Sequence, residues 1–172
     1  MKKLLVPIFL VGAIITGLYI AYVLARPEKV IGFGEKIHHD DFDYSVLKVE
    51  KLKSMGDGTP SPSPQGTFYV VTLKVENNAK RVMHVWNDSM AYIVDDAGKE
   101  YHPSPEGQRA WDLAKGKISV SLHSTPPGVF ETTQIVFDLP ADAKNPCLKI
   151  WKDVLMGDMF DGIAYRKVKV SL

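Results

Sequence analysis

Two kinds of apolar pattern divide this chain. Residues 4–24 (LLVPIFLVGAIITGLYIAYVL) carry no charge and are almost wholly apolar. After residue 35, apolar side chains come in short runs that alternate with polar ones, broken by glycine, proline, asparagine and aspartate. The first pattern predicts a helix that crosses a bilayer core of about 30 Å, which takes about 20 residues at 1.5 Å each. The second predicts strands, whose side chains point to alternate faces.

The strands can be placed along the chain. The stretch TFYVVTLKVE (67–76) is β-branched, aromatic or aliphatic at nearly every position, which predicts a central strand covered on both faces near its start. Before it, Phe42, Tyr44 and Val46 alternate, and the phase then shifts to Leu47 and Val49, which predicts a bulge or a change of buried face near 46–47. After it come 82–94, a tight turn at 95–98 (DDAG), and a short return at 100–102. Ile118, Val120 and Leu122 alternate with serines and a histidine and read as a further strand. Residues 129–139 follow a Pro-Pro-Gly turn, with Ile135, Phe137 and Leu139 on one face and Pro140 ending the ladder. Residues 147–151 and 163–172 close the set. Only RAWDL (109–113) hints at a helical turn, with Trp111 and Leu113 over the end of a core. The stretch 54–66 is rich in proline, serine and glycine and predicts a loop. Eight or nine strands without helical periodicity after residue 26 predict an all-β chain. The expectation is an immunoglobulin-like antiparallel β-sandwich preceded by one N-terminal transmembrane helix.

The N-terminal run exceeds the usual apolar core of a cleaved signal, about 7–15 residues, which favours an uncleaved signal anchor over 1–26. Val23-Leu24-Ala25 imitates a cleavage site, so a cleaved signal stays open. Lys2 and Lys3 precede the run, whereas Arg26 and Lys29 after it are offset by Glu28. The positive-inside rule then puts the N-terminus inside and the C-terminal domain outside the cytoplasm. Residues 27–35 read as a juxtamembrane linker with a first strand at its end, and 36–172 as one domain.

Composition narrows the function classes. The 172 residues hold 21 basic and 20 acidic side chains, a net charge of +1. That balance offers no electrostatic footprint for nucleic acid. The single cysteine, Cys147, excludes an internal disulfide and reads as a small buried hydrophobe.

Three segments, GTFYVVTLKVENN (66–78), DDAGKEY (95–101) and PGVFE (127–131) running into VFDLPADA (136–143), resemble in order and spacing a bacterial family of extracellular immunoglobulin-like domains of unknown function. That family is catalogued under a telomeric repeat-binding factor name and is similar in fold to a secreted mycobacterial immunoprotective antigen. The resemblance covers roughly residues 35–172. It implies a surface protein held at the membrane, and it brings no catalytic residues with it. No lipoprotein cysteine follows the apolar run, so the tether here would be the helix itself, through residues 4–24. The region 103–126 is longer and more polar than that pattern.

Candidate chemistry is sparse. His38, His39, Asp40 and Asp41 are metal-ligating types in a row. Neighbours on a strand face opposite ways, so a site would need a distant His84, His102 or His123; a solvated strand end is the plainer reading. Asp153, Asp158 and Asp161 on a glycine-bearing loop are oxygen ligands of calcium type, without EF-hand spacing. No Gly-x-Ser-x-Gly elbow or phosphate loop occurs, so the chain reads as no enzyme and needs no cofactor. Trp86, Trp111 and Trp151 read as core or core-edge aromatics. Trp111, with Arg109, is a partner-binding candidate if exposed. The expected function is a membrane-anchored extracytoplasmic module that binds a protein or envelope component through loops 54–65 and 103–117. The alternative is an envelope metal- or small-ligand-binding protein using His38 or His39 and a distant histidine.

Overall fold

The computed structural model describes residues 2–25, 27–55, 64–118, 120–150 and 168–172. Helix α1 (Lys2–Ala25) opens the chain. Its side chains are described for 11–22 and 25, and apolar residues such as Ile15 and Leu18 stand exposed along it. Among the described residues no helix is long and apolar enough to cross a membrane. The strands are β1 (Lys29–Ile31), β2 (Lys36–His39), β3 (Phe42–Leu52), β4 (Gly66–Asn77), β5 (His84–Asn87), β6 (Ala91–Val94), β7 (Glu100–Tyr101), β8 (Leu122–Thr125), β9 (Phe130–Pro140), β10 (Cys147–Ile150) and β11 (Val168–Ser171). One helix, α2 (Pro105–Ala114), lies between β7 and β8.

The strands form a β-sandwich. One sheet runs β1-β11-β10-β6-β7 and the other β2-β3-β4-β9, while β5 and β8 make a separate two-stranded ribbon. Pairing is antiparallel except where β1 lies parallel to β11. Strand β4 is central as its composition requires, flanked by β3 and β9 along most of its length. The register between β3 and β4 shifts between Val46 and Lys48, where the change of phase predicted a bulge. Tyr44, Val71, Leu73, Ile93, Phe137 and Leu148 are among the side chains that fill the space between the sheets. Burial of a Val, Leu, Ile or Phe side chain stabilises by about 1.5–3 kcal/mol each. Cys147 is buried and unpaired, and burial pushes its thiol up. The β6–β7 turn closes on Gly98 at φ +77°, a backbone region that a side chain resists.

Several expectations are corrected. The β-rich stretch 82–94 does hold strands, and they are refined to two in different sheets, β5 and β6, joined by a 3₁₀ turn at Asp88–Met90. The first strand expected at the end of 27–35 is β1, which lies earlier, at Lys29–Ile31, with Ile31 buried in the core. The single helical turn at 109–113 is a ten-residue helix, α2. Leu113 does not cover a core, since it is 78% exposed. Ile118 and Val120 do not join a strand: β8 begins only at Leu122, and all three apolar side chains are exposed. Period-two alternation there marks no buried face. Trp151 and residues 163–167 lie outside the described residues, while 168–171 form β11.

Candidate binding cleft

The site is built by α2. Ser104 caps the helix, its Oγ accepting from the Gly107 N–H at 3.1 Å, and Pro105 follows at the first turn, where its missing N–H costs nothing. The Ser104 N–H donates to the Val136 carbonyl at 2.7 Å, which pins the helix start to β9. The helix then packs through Gly107 and Trp111 on Phe68, Val70 and Val136, a small apolar cluster on the outer face of the sheet. Gly107 permits that approach, because a Cβ there would stand 2.9 Å from Val136 Cγ1 and 3.1 Å from the Phe68 ring.

Gln108 ties the helix to the backbone of β9. Its Oε1 accepts from the Val136 N–H at 2.9 Å, and its Nε2 donates to the Gln134 carbonyl at 3.0 Å. The side chain therefore satisfies backbone groups on the side of β9 away from β4, which would otherwise form an open sheet edge. The same Nε2 lies 3.1 Å from the buried Asp112 carboxylate.

Beside α2 a cleft of about 440 Å³ opens. Thr72, Thr132 and Gln134 of the sheet line it with hydroxyl and amide groups, and Gln108 and Asp112 line it from the helix. Lys117, Ile118, Val120, His123 and Thr133 complete it. His123 Nε2 lies 2.9 Å from Asp88 Oδ1, and the imidazole stacks on Trp86 at 4.2 Å. Trp86 in turn donates to Glu131 at 2.7 Å. The bond to Asp88 holds the His123 imidazole above its ordinary pKa, against the opposing effect of burial. Burial pushes the Asp88 carboxyl up in spite of His123. The cleft thus presents hydroxyls, amides, one carboxylate, one ammonium and an oriented imidazole beside two apolar side chains. That set suits a polar ligand with hydrogen-bonding groups.

The sequence-derived candidates fall elsewhere. Asp40 and Asp41 are the two-residue turn of the β2–β3 hairpin, with Asp40 at φ +54°. His38 and His39 point to opposite faces, as strand geometry requires. His38 Nδ1 meets Asp43 Oδ1 at 2.6 Å on the outer side, whereas His39 is buried edge-on to Tyr44. Burial raises Asp43, but bonds from His38, Lys36 and Asn78 outweigh it and hold the carboxyl below its ordinary range. His84 is buried between Phe42, on which it stacks, and Tyr44, whose hydroxyl lies 2.6 Å from its Nε2. His102 packs near Tyr92. The structure therefore disperses the five histidines. Among the described residues no group of three or more His, Cys, Asp or Glu is arranged to hold a metal ion. Trp111 is not an exposed contact: it is buried, and its indole donates to Gln134 Oε1 at 3.2 Å. Arg109 is exposed on the same helix. Trp86 is buried in the main core. Residues 56–63 of the proline-rich loop, and Asp153, Asp158 and Asp161, lie outside the described residues.

A family profile described as "Domain of unknown function (DUF4352)" matches residues 31–159. The chain belongs to this family. The resemblance in the three segments above thus leads to a family of unknown function, and the DUF4352 domain shares its sandwich with solved bacterial proteins. The yjhA protein from Bacillus subtilis is 16% identical with a TM-score of 0.56, covering 82% of this chain and 98% of its own. A secreted protein from Mycobacterium tuberculosis, MPT63, is 15% identical with a TM-score of 0.55, covering 86% and 99%. A conserved hypothetical protein from Bacillus anthracis is 17% identical with a TM-score of 0.53, covering 73% and 92%. At these identities the likeness is one of fold. No curated protein matches the chain.

Sequence reasoning missed Gln108, Asp112, Thr132 and Gln134 as site residues in this DUF4352 domain. One signal was available: Ser104-Pro105-Glu106 is a helix start, with a capping serine, a proline at the first position and an early carboxylate.

Proposed function

We propose that this DUF4352 protein is a membrane-anchored, extracytoplasmic, immunoglobulin-like module that binds a protein or envelope component in the α2–β9 cleft and does no catalysis. The single observation that carries the reading is the cleft itself. A rigid sheet and a helix bonded to its edge hold polar groups open to solvent, the arrangement of a preformed recognition site. The anchor is supported by the uncharged run 4–24 and by the exposed apolar side chains of α1. The outside location is supported by Lys2 and Lys3 ahead of that run. It agrees with the secreted character of MPT63, which shares the fold. Absence of catalysis is supported by a family of unknown function and by neighbours whose names carry no activity.

The test is site-specific photo-crosslinking of the intact chain in its own membranes. A crosslinker at Thr132, in the cleft, should give a discrete adduct that weakens in Asp112→Asn. One at Asp142, outside the cleft, should not. Equal adducts at both positions, or none at Thr132, overturn the cleft reading. A membrane-impermeant reagent should label lysines of the domain on intact cells, and complete protection there overturns the topology.

A further inference from the structure

A second surface, which meets the cleft along Lys117, Ile118 and Val120, lies on the β5–β8 ribbon. Trp86 and His123 point inward, so Val85 and Leu122 point outward. They are diagonal neighbours on one face, because Val85 pairs with Ser124, two residues from Leu122. Both are more than half exposed, at 58% and 61%. Val82 and Met83, which precede β5, are exposed as well, and so are Ile118 and Val120, which precede β8 and also line the cleft. The Asn77 amide donates to the carbonyls of both Val82 and Thr125, holding the start of one segment against the end of the other.

Charge on these segments is one-sided. Residues 79–87 and 113–125 hold Lys80, Arg81, Lys115 and Lys117 and not one aspartate or glutamate, in a chain with 20 acidic residues. The four cations are exposed. The carboxylates that bound the segments, Asp88 and Asp112, are buried.

We propose that this face rests on an anionic lipid bilayer surface. Exposed aliphatic side chains on segments whose only charges are three lysines and one arginine match the two attractions that hold peripheral segments on such a membrane: shallow apolar burial and cation–headgroup contact. A protein partner fits less well. Protein interfaces are enriched in aromatic residues and depleted in lysine, and their energetic centres favour Trp and Tyr. Here Trp86 is turned inward and lysine dominates the charge. The proposal does not rest on the anchor, and Val82, Met83, Val85 and Leu122 lie outside the lining of the cleft.

The experiment uses the full chain reconstituted into vesicles of phosphatidylcholine alone or mixed with phosphatidylglycerol. An environment-sensitive dye is placed at Leu122→Cys in a Cys147→Ala background and quenched by nitroxide-bearing lipids. Severalfold stronger quenching is expected in the anionic vesicles, falling at high salt. A dye at Ala97→Cys, in the β6–β7 turn, should stay unquenched. Lys80→Gln and Arg81→Gln, outside the cleft lining, should each weaken the effect about fivefold. Hydrogen exchange needs no substitution and should show residues 113–123 protected on anionic vesicles only. Quenching equal in both lipids, or absent from both, overturns the proposal. So does a dye that leaves water only when membrane proteins are added, since the face then belongs to a protein. A separate dye at Ile15→Cys reports insertion of α1, so failure of the anchor is distinguished from failure of this surface.

Discussion

The sheet β2-β3-β4-β9 carries apolar clusters on both faces, and they are built differently. The inner one lies between two sheets, where registered strands distant in sequence lock Val71, Leu73, Ile135 and Phe137. The outer one is five buried side chains, one of them, Trp111, supplied by the single ten-residue helix that covers it. Along the outer face of β4 the residues run Phe68, Val70, Thr72, Lys74, and those paired with them on β9 run Asp138, Val136, Gln134, Thr132. Buried apolar side chains stop where α2 stops, and the cleft begins at Thr72 and Gln134. The inner cluster holds the fold, while the outer one positions the site.

That contrast can be broken or sharpened by substitution. Phe137→Ala empties the inner core and should cost about 3–5 kcal/mol, read as a lower urea midpoint for the whole domain. Gly107→Ala adds a methyl against the buried Val136 and Phe68. Although alanine favours helix by about 1 kcal/mol, overpacking of about 1–3 kcal/mol should win. Its mark should be lost amide protection in α2. Unchanged or higher stability would mean that the outer cluster can shift freely. Gln108→Ala leaves the Val136 N–H without its side-chain acceptor and should cost about 1–2 kcal/mol, with faster exchange of that amide while the inner strands stay protected.

The smallest effect concerns pH. His123 has its folded pKa raised by Asp88, so its stabilisation is fully present below the ordinary 6.5 and is lost as pH rises through the raised folded value. The melting temperature should therefore fall across that interval in the native chain. His123→Gln should remove that fall, and an equal slope in the two chains would rule out this coupling.

The inner face was legible and the outer one only in part. Alternation in 67–76 and 129–139 names the buried side chains of β4 and β9, since period two is a local property. The bulge near 46–47 and the turn at 95–98 follow from equally local signals. The helix α2 was obscured because Pro103 and Pro105 read as strand breakers, although Pro105 starts a helix. Exposed Ile118, Val120 and Leu122 mimic a half-buried strand, because alternation does not say whether anything lies against it. His123 and Asp88 are 35 positions apart and meet only through the β5–β8 pairing, which no spacing rule announces.

The parallel pairing of β1 with β11 has a mechanical consequence. Glu28, just ahead of β1, is paired with Lys149 of β10 and Lys169 of β11. A pull on the polypeptide from its N-terminal side thus reaches these ion pairs first and then three aligned residue pairs, Lys29 with Val168 through Ile31 with Val170. Loaded along their length, those rungs share the force and must slip together instead of opening one by one. The junction is a clamp, stiff towards tension that would peel a terminal hairpin apart.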